Sequence, residues 1–329
     1  MPRLLDSMMA LQSLDLEFFL IDNGSPDRCG EICAEYASRD NRFFIRSLKD
    51  NIGYIKARML GIKECHGDYV GFCDSDDYLE PGGYDHAIQV IKDQGCDLLI
   101  TSHKVHFGED VYLMNPPFQE GLYQHESIKK DILPQAFGFL KERDRLHGFM
   151  WKQIYRKSII LDSDISLIEE LKPWEDQIFN IDVIQRCDSV SVDHQVIYNY
   201  FANSGSVTDS MIKNFDADDF WRKTRLLYVE KQRRATQPIE RRANANAAMV
   251  NLDSLVVCLC KKVSLSATTV SGTLRSLVGS DEVASQIMTT ASWHDMGKRL
   301  RFVTFCLRYR LYGILVRTVR RELKRAGII

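Results

Sequence analysis

The first hundred residues alternate between short apolar runs and stretches of helical length, and this alternation restricts the fold more than any other feature of the chain. Leu16-Glu17-Phe18-Phe19-Leu20-Ile21, Phe43-Phe44-Ile45, Tyr69-Val70-Gly71-Phe72-Cys73 and Asp97-Leu98-Leu99-Ile100-Thr101 have strand length and composition. Residues 28–38, 53–65 and 83–94 lie between them and read as helices. Ahead of the first run, Leu4, Leu5, Met8, Met9 and Leu11 recur at helical spacing within residues 2–14. Repeats of this kind place helices on the faces of a mostly parallel sheet, so the expected fold class is α/β. After about residue 212 no strands are clear, and helices are expected over 216–234, 240–262, 281–290 and 295–325. A soft boundary near 210 therefore separates a domain over 1–210 from an α-helical C-terminal region over 211–329.

In open α/β sheets, ligands bind beyond the carboxyl ends of the strands. The residues that close each apolar run are thus the candidates for chemistry. The run at 69–73 ends in Asp74-Ser75-Asp76-Asp77. Two carboxylates two residues apart can share one hard divalent cation, and Mg²⁺ takes one or two carboxylates together with phosphate oxygens. The same residues would also form an acidic turn that caps the next helix, and the tetrad alone does not choose. The first run closes in Asp22-Asn23-Gly24-Ser25, which has turn chemistry. Asn51-Ile52-Gly53 opens a helix carrying Arg58, whose guanidinium suits phosphate geometry. Asp176 follows Trp174-Glu175 at the start of another helix, where the dipole favours carboxylates.

The formal net charge of −2 argues against a nucleic-acid partner. It conceals an asymmetry. Residues 297–329 hold ten Lys/Arg and one Glu, a local +9 that leaves −11 on the rest of the chain. Phe302, Phe305, Tyr309, Tyr312, Val316, Val319 and Leu323 alternate at spacings of three and four, with Arg310, Arg317, Arg321 and Lys324 elsewhere on the wheel. A basic amphipathic helix within 295–329 suits an anionic membrane surface. Packing against the preceding helices, or a dimer seam, accounts for the same pattern. The nine scattered cysteines form no paired metal pattern and fit a reducing cytosol. No run of about eighteen apolar residues stands out, and Met1 is not followed by a signal-peptide pattern. The expected location is cytoplasmic, peripheral on the inner face of the plasma membrane.

In their order along the chain these pieces resemble family-2 glycosyltransferases of the bacterial cell-surface polysaccharide type, with the GT-A fold. The resemblance rests on Leu20-Ile21-Asp22-Asn23-Gly24-Ser25-Pro26-Asp27, on Asn51-Ile52-Gly53 with Ala57-Arg58 and Gly61, and on Gly67-Asp68-Tyr69-Val70 leading into Asp74-Ser75-Asp76-Asp77. It continues in Trp151-Lys152 with Tyr155-Arg156, in Glu175-Asp176-Gln177-Ile178-Phe179, and in Tyr198-Asn199-Tyr200 with Ser206-Val207-Thr208. About residues 3–210 are covered. The resemblance implies inverting transfer of a sugar from a nucleoside-diphosphate donor, UDP-linked, to a surface-glycan or lipid-linked acceptor. It implies Mg²⁺ or Mn²⁺ at Asp76 and Asp74, with Asp76 the direct ligand and Asp74 on the ribose or the metal. It implies that Asp22 accepts from uracil, that Asn23 and Arg58 serve the nucleotide, and that Asp176 is the general base. Asp77 is expected to start a helix, and Trp151 to pack in the core.

Two departures qualify it. The family opens with a strand of the type V-S-V-I-I-P-V-Y-N, whereas here Met1 falls inside the helix that should follow. The expectation is a truncated or mis-started sequence with a gap in mid-sheet, where backbone pairing is nearly obligatory. Asn23 stands where a second Asp is common, and an amide brings no charge. Two other readings stay open. One is an inactive truncated remnant acting as a membrane-associated or partner-binding protein. The other is a different nucleotide-binding α/β enzyme, such as a nucleotidyltransferase.

Overall fold

The structure is a computed structural model that describes all residues except 14, 139–147, 162–167, 173, 203–213 and 263. Ser206-Val207-Thr208 lies outside the described residues. The chain forms two compact units, the first of Met1–Lys129, Gly148–Glu169 and Asp182–Asn203, the second of Lys130–His147, Glu170–Ile181 and Ser204–Ile329. The second unit thus gathers two segments that precede residue 210.

In the first unit, α1 (Pro2–Met9) buries Leu4, Leu5 and Met8, with Pro2 in the first turn, where a missing N–H is harmless. β1 (Phe18–Asn23) and β2 (Phe43–Leu48) pair in parallel through α2 (Cys29–Arg39). α3 (Tyr54–Glu64) leads to β3 (Tyr69–Gly71), then β4 (Tyr78–Leu79) and α4 (Gly83–Gln94). β5 (Leu98–Phe107), β6 (Asp110–Met114), β7 (Gly121–Gln124), β8 (Gln153–Arg156) and β9 (Ser189–Phe201) complete a second sheet of order β3-β8-β5-β9-β4, with β6 on β5 and β7 on β9.

The α/β class and the flanking helices hold, but the second sheet is mixed rather than mostly parallel. β5 and β9 are parallel, whereas β3–β8, β5–β8, β4–β9, β5–β6 and β7–β9 are antiparallel. Two of these five pairings come from β8. Gln153-Ile154-Tyr155-Arg156 lies between β3 and β5 and runs against both. Four residues of mixed polarity carry no readable period, and their burial comes from strands distant in sequence.

Among the described residues, β1–β2 and the strands around β3 form two separate sheets. Among the described residues β1 pairs only with β2, and β3 only with β8. A cavity of about 830 Å³ is lined by both strands, including Phe19, Ile21 and Val70, by Phe72 just beyond β3, and by Leu4 and Met8 of α1.

The second unit is helical. α5 (Leu133–Phe137) and the start of α7 (Glu175–Ile184) join α8 (Ala217–Arg234), α9 (Pro238–Lys261), α10 (Ala267–Val278), α11 (Glu282–Thr290), α12 (Lys298–Arg308) and α13 (Tyr312–Arg325). α6 (Lys157–Leu161) belongs to the first unit. A capping box of Gln237 and Glu240 closes the start of α9. By length and composition α9 is apolar enough to cross a membrane, yet 67% of its apolar window is buried against neighbouring helices, as in a core helix.

The single helix expected over 295–325 is two helices. Arg310 takes a left-handed φ of 57°, and the Leu311 N–H donates to the Cys306 carbonyl at 2.7 Å. That closes α12 in the way a glycine usually would. The expected apolar stripe is divided as a result. Tyr312, Val316, Val319 and Leu323 are buried in the helical core, while Phe305 and Tyr309 stay exposed. The apolar face of α13 is occupied by packing, so the membrane-facing stripe first read from the sequence does not exist as one surface.

Candidate active site

The acidic turn sits between β3 and β4, and its three carboxylates have three different environments. The Asp77 N–H donates to the Asp74 carbonyl at 3.2 Å, which closes the turn. Asp76 is exposed and Asp74 half-buried. Asp77 is 1% exposed. Its Oδ2 accepts from the Tyr198 hydroxyl at 2.7 Å and its Oδ1 from the Phe201 N–H at 2.8 Å. The Tyr198 oxygen in turn accepts the Asp74 N–H at 3.0 Å. One phenol therefore clips both ends of the turn to β9. Burial pushes the Asp77 carboxyl up to about 7, although the Tyr198 and Phe201 hydrogen bonds pull it down. Asp77 does not start a helix, since α4 begins at Gly83. Burial also raises the Tyr198 phenol far above its ordinary value, so it stays a donor.

Trp151 packs beneath this clip, as expected of a core residue. Its ring stacks on Tyr198 at 4.6 Å, on Tyr200 at 5.5 Å and on Phe149 at 5.0 Å. Lys152 beside it is buried, makes no ion pair among the described residues, and has its amine pushed down to about 7 by burial. Arg3 of α1, not singled out in the sequence, donates to the Asp76 carbonyl and lies 3.6 Å over the Phe201 ring. No short-range pattern marks Arg3 or Tyr198 as partners of a turn more than seventy residues away.

Arg58 projects from α3 to the same turn. Its Nη2 donates to Asp74 Oδ1 at 2.9 Å, and its guanidinium lies 5.2 Å over the Tyr54 ring. The structure thus joins two of the residues expected to bind the nucleotide in one ion pair. Asn23 and Asp22 lie at the end of β1. Asn23 Oδ1 accepts the Ile52 N–H at 3.0 Å, and Asn23 Nδ2 donates to Asn51 Oδ1 at 3.2 Å. A carboxylate at 23 would keep the first bond and lose the second, so the amide has a local reason. Asp22, expected to meet the base, uses its Oδ1 to accept from the Ser25 N–H at 3.1 Å within the turn. Gly24 is required there: its φ is +68°, and a Cβ would meet the Asn51 nitrogen at 2.8 Å.

Among the described residues no three His, Cys, Asp or Glu side chains gather into a metal cluster. Asp74 and Asp76 remain a pair of carboxylates, the donor set that Mg²⁺ or Mn²⁺ completes with phosphate oxygens and water. Asp176 belongs to the second unit, half-buried in the first turn of α7. That turn is anchored. Buried Lys231 donates to Gln177 Oε1 at 2.8 Å and to the Phe137 carbonyl at 2.9 Å, and Trp174 packs edge-on to Phe220 at 5.2 Å.

Comparison with known proteins bears on the fold and the family. Residues 1–157 match the model of glycosyl transferase family 2. The chain is 28% identical over 209 residues to the uncharacterized glycosyltransferase EpsJ of Bacillus subtilis, covering 62% of the chain and 58% of EpsJ. It is 26% identical over 216 residues to the poly(ribitol-phosphate) beta-N-acetylglucosaminyltransferase TarS of Staphylococcus aureus, covering 66% of the chain and 35% of TarS. The match therefore spans less than two thirds of either relative. The fold resembles residues 1–349 of TarS in complex with UDP-GlcNAc, with a TM-score of 0.69 at 22% identity, covering 99% of this chain and 88% of that one. A more distant likeness, TM-score 0.51 at 12% identity over 96% and 81% of the chains, is to a Pyrobaculum calidifontis mannosyltransferase in complex with GDP-Man and Mn²⁺.

Proposed function

We propose that the protein transfers a sugar, with inversion, from a UDP-linked donor to a bacterial surface-glycan or lipid-linked acceptor. The observation that carries this is the Arg58–Asp74 pair beside exposed Asp76, at the carboxyl end of β3. The UDP-GlcNAc bound in the TarS structure and the GDP-Man and Mn²⁺ of the archaeal mannosyltransferase support a nucleotide-sugar donor.

The chemistry has three requirements: a neutralised diphosphate, a deprotonated acceptor hydroxyl, and the two on opposite faces of the sugar carbon. Asp76 and Asp74 would hold Mg²⁺ or Mn²⁺, which when bound supplies Lewis-acid stabilisation of the departing phosphate. Asp22 accepts from the base through the carboxylate oxygen that the Ser25 N–H does not take. Asn23 holds the nucleotide-side turn in shape. Arg58 orients Asp74 and adds fixed positive charge where anionic phosphate arrives. Asp176 takes the acceptor proton. All nine cysteines are free thiols, which suits the cytosol, where the reading places the protein.

Asp176→Asn is expected to abolish transfer while leaving UDP-sugar affinity unchanged by calorimetry; retained turnover removes Asp176 as the base. The split between β1 and β3 favours a second reading, an inactive remnant that binds membrane or partner. Hydrolysis of UDP-GlcNAc stimulated by Mn²⁺ decides for the enzyme, and its absence for the remnant.

A further inference from the structure

The outward side of α12 and α13 combines bare apolar side chains with uncommitted cations. Phe305, Tyr309 and Ile314 are 43%, 61% and 52% exposed. The rings of Phe305 and Tyr309 touch, with centroids 4.8 Å apart. Tyr309 and Ile314 flank the elbow at Arg310. Four of the ten basic residues in 297–329 are engaged internally. Arg299 pairs with Asp253 and Glu322, Arg301 donates to the Met296 carbonyl, Arg308 to that of Met288, and Arg320 to that of Leu265. The side chains of the other six, Lys298, Arg310, Arg317, Arg321, Lys324 and Arg325, make no ion pair or hydrogen bond among the described residues. On α13, Ile314, Arg317, Arg321 and Arg325 follow at spacings of three and four, opposite the buried Tyr312, Leu315, Val316, Val319 and Leu323.

We propose that this outward side docks on an anionic lipid surface. Phe305, Tyr309 and Ile314 enter the boundary between headgroups and acyl chains, and Arg310, Arg317, Arg321 and Lys324 meet lipid phosphates and carboxylates. Charge complementarity selects the occupant. A second copy presenting the same +9 segment would be repelled. A soluble polyanion would satisfy the cations but leave the apolar side chains in water, whereas rings with one polar end belong at a membrane interface. The apolar residues involved are not the stripe of Tyr312, Val316, Val319 and Leu323, which is buried in the fold. The proposal uses residues of the second unit alone and holds whatever the donor is.

The test is co-sedimentation of the full chain with phosphatidylcholine vesicles, with and without phosphatidylserine. Binding is expected only with phosphatidylserine, and weaker at high salt. Arg317→Gln with Arg321→Gln should reduce affinity about 25-fold, at about fivefold per cation. Phe305→Ser with Tyr309→Ser and Ile314→Ser should reduce it at least as much. Both variants change exposed residues, and an unchanged circular dichroism melting curve confirms that they fold. Absence of binding to the phosphatidylserine vesicles, or equal binding to both kinds, overturns the proposal. So does a triple variant that binds as tightly as wild type while soluble polyphosphate competes, which would make the patch a polyanion site. A dimer in sedimentation equilibrium that either variant converts to monomer would make it a seam between copies and equally overturn it.

Discussion

Replacing Asp77 by Asn isolates the one buried charge that the acidic turn turns inward. The folded state holds this carboxyl near 7, whereas an unfolded Asp titrates near 3.9. Between about pH 4 and pH 7 the folded chain therefore keeps a proton that the unfolded chain has released. The stability due to this group is full below about pH 4 and is lost as pH rises through 7. At about 1.4 kcal/mol per pH unit, the three-unit interval sets a ceiling of about 4 kcal/mol, which structural relaxation lowers toward about 2 kcal/mol. Asparagine does not ionise, still accepts the Phe201 N–H and donates to the Tyr198 oxygen. Lys152, whose amine burial lowers to about 7, titrates in both proteins and cancels in the difference. Urea unfolding midpoints from pH 4 to pH 8 are the assay. The two proteins should be nearly equal at pH 4, with Asp77→Asn ahead by about 2–4 kcal/mol at pH 8. Parallel pH curves would refute the reasoning, because the carboxyl would then have the same affinity for its proton in both states.

Asp76→Asn should cut Mn²⁺-dependent turnover of UDP-GlcNAc by about a hundredfold or more while leaving the unfolding midpoint within about 0.5 kcal/mol, as expected for an exposed side chain. Lys231→Met removes the single ammonium that donates to both Gln177 and Phe137 and leaves buried acceptors unmatched. It should destabilise the second unit by about 2–3 kcal/mol in urea without altering UDP affinity, and an unchanged midpoint would contradict the anchoring of α7.

Much of the architecture was legible because its signals are short-range. α1, α2, α3 and α4 follow apolar spacing and turn residues within a few positions of their observed ends. The same rules also reached the carboxyl ends of β1 and β3, and hence Asp22, Asn23, Asp74 and Asp76. α10, which lies outside the expected helices, carries such a signal: Val270, Leu274 and Val278 stand at four-residue spacing, and Ser266 caps the helix by accepting the Thr269 N–H at 3.0 Å. That signal was available. β8 offered none, because four residues between two strands owe their state to neighbours. The break at Arg310 was equally hidden. The position lacks the glycine or asparagine that announces a left-handed residue, and only the packing of α13 against the core explains where the chain turns.

Local periodicity and turn chemistry decide, from the residues alone, that this chain alternates strand and helix and ends a strand in carboxylates. Tertiary structure decides what each carboxylate does. Asp74 meets Arg58, Asp76 meets solvent, and Asp77 is buried under a phenol 121 residues away. Three acids within four positions look alike in sequence because ionisation depends on burial and on partners, and both are set by segments the local pattern does not contain.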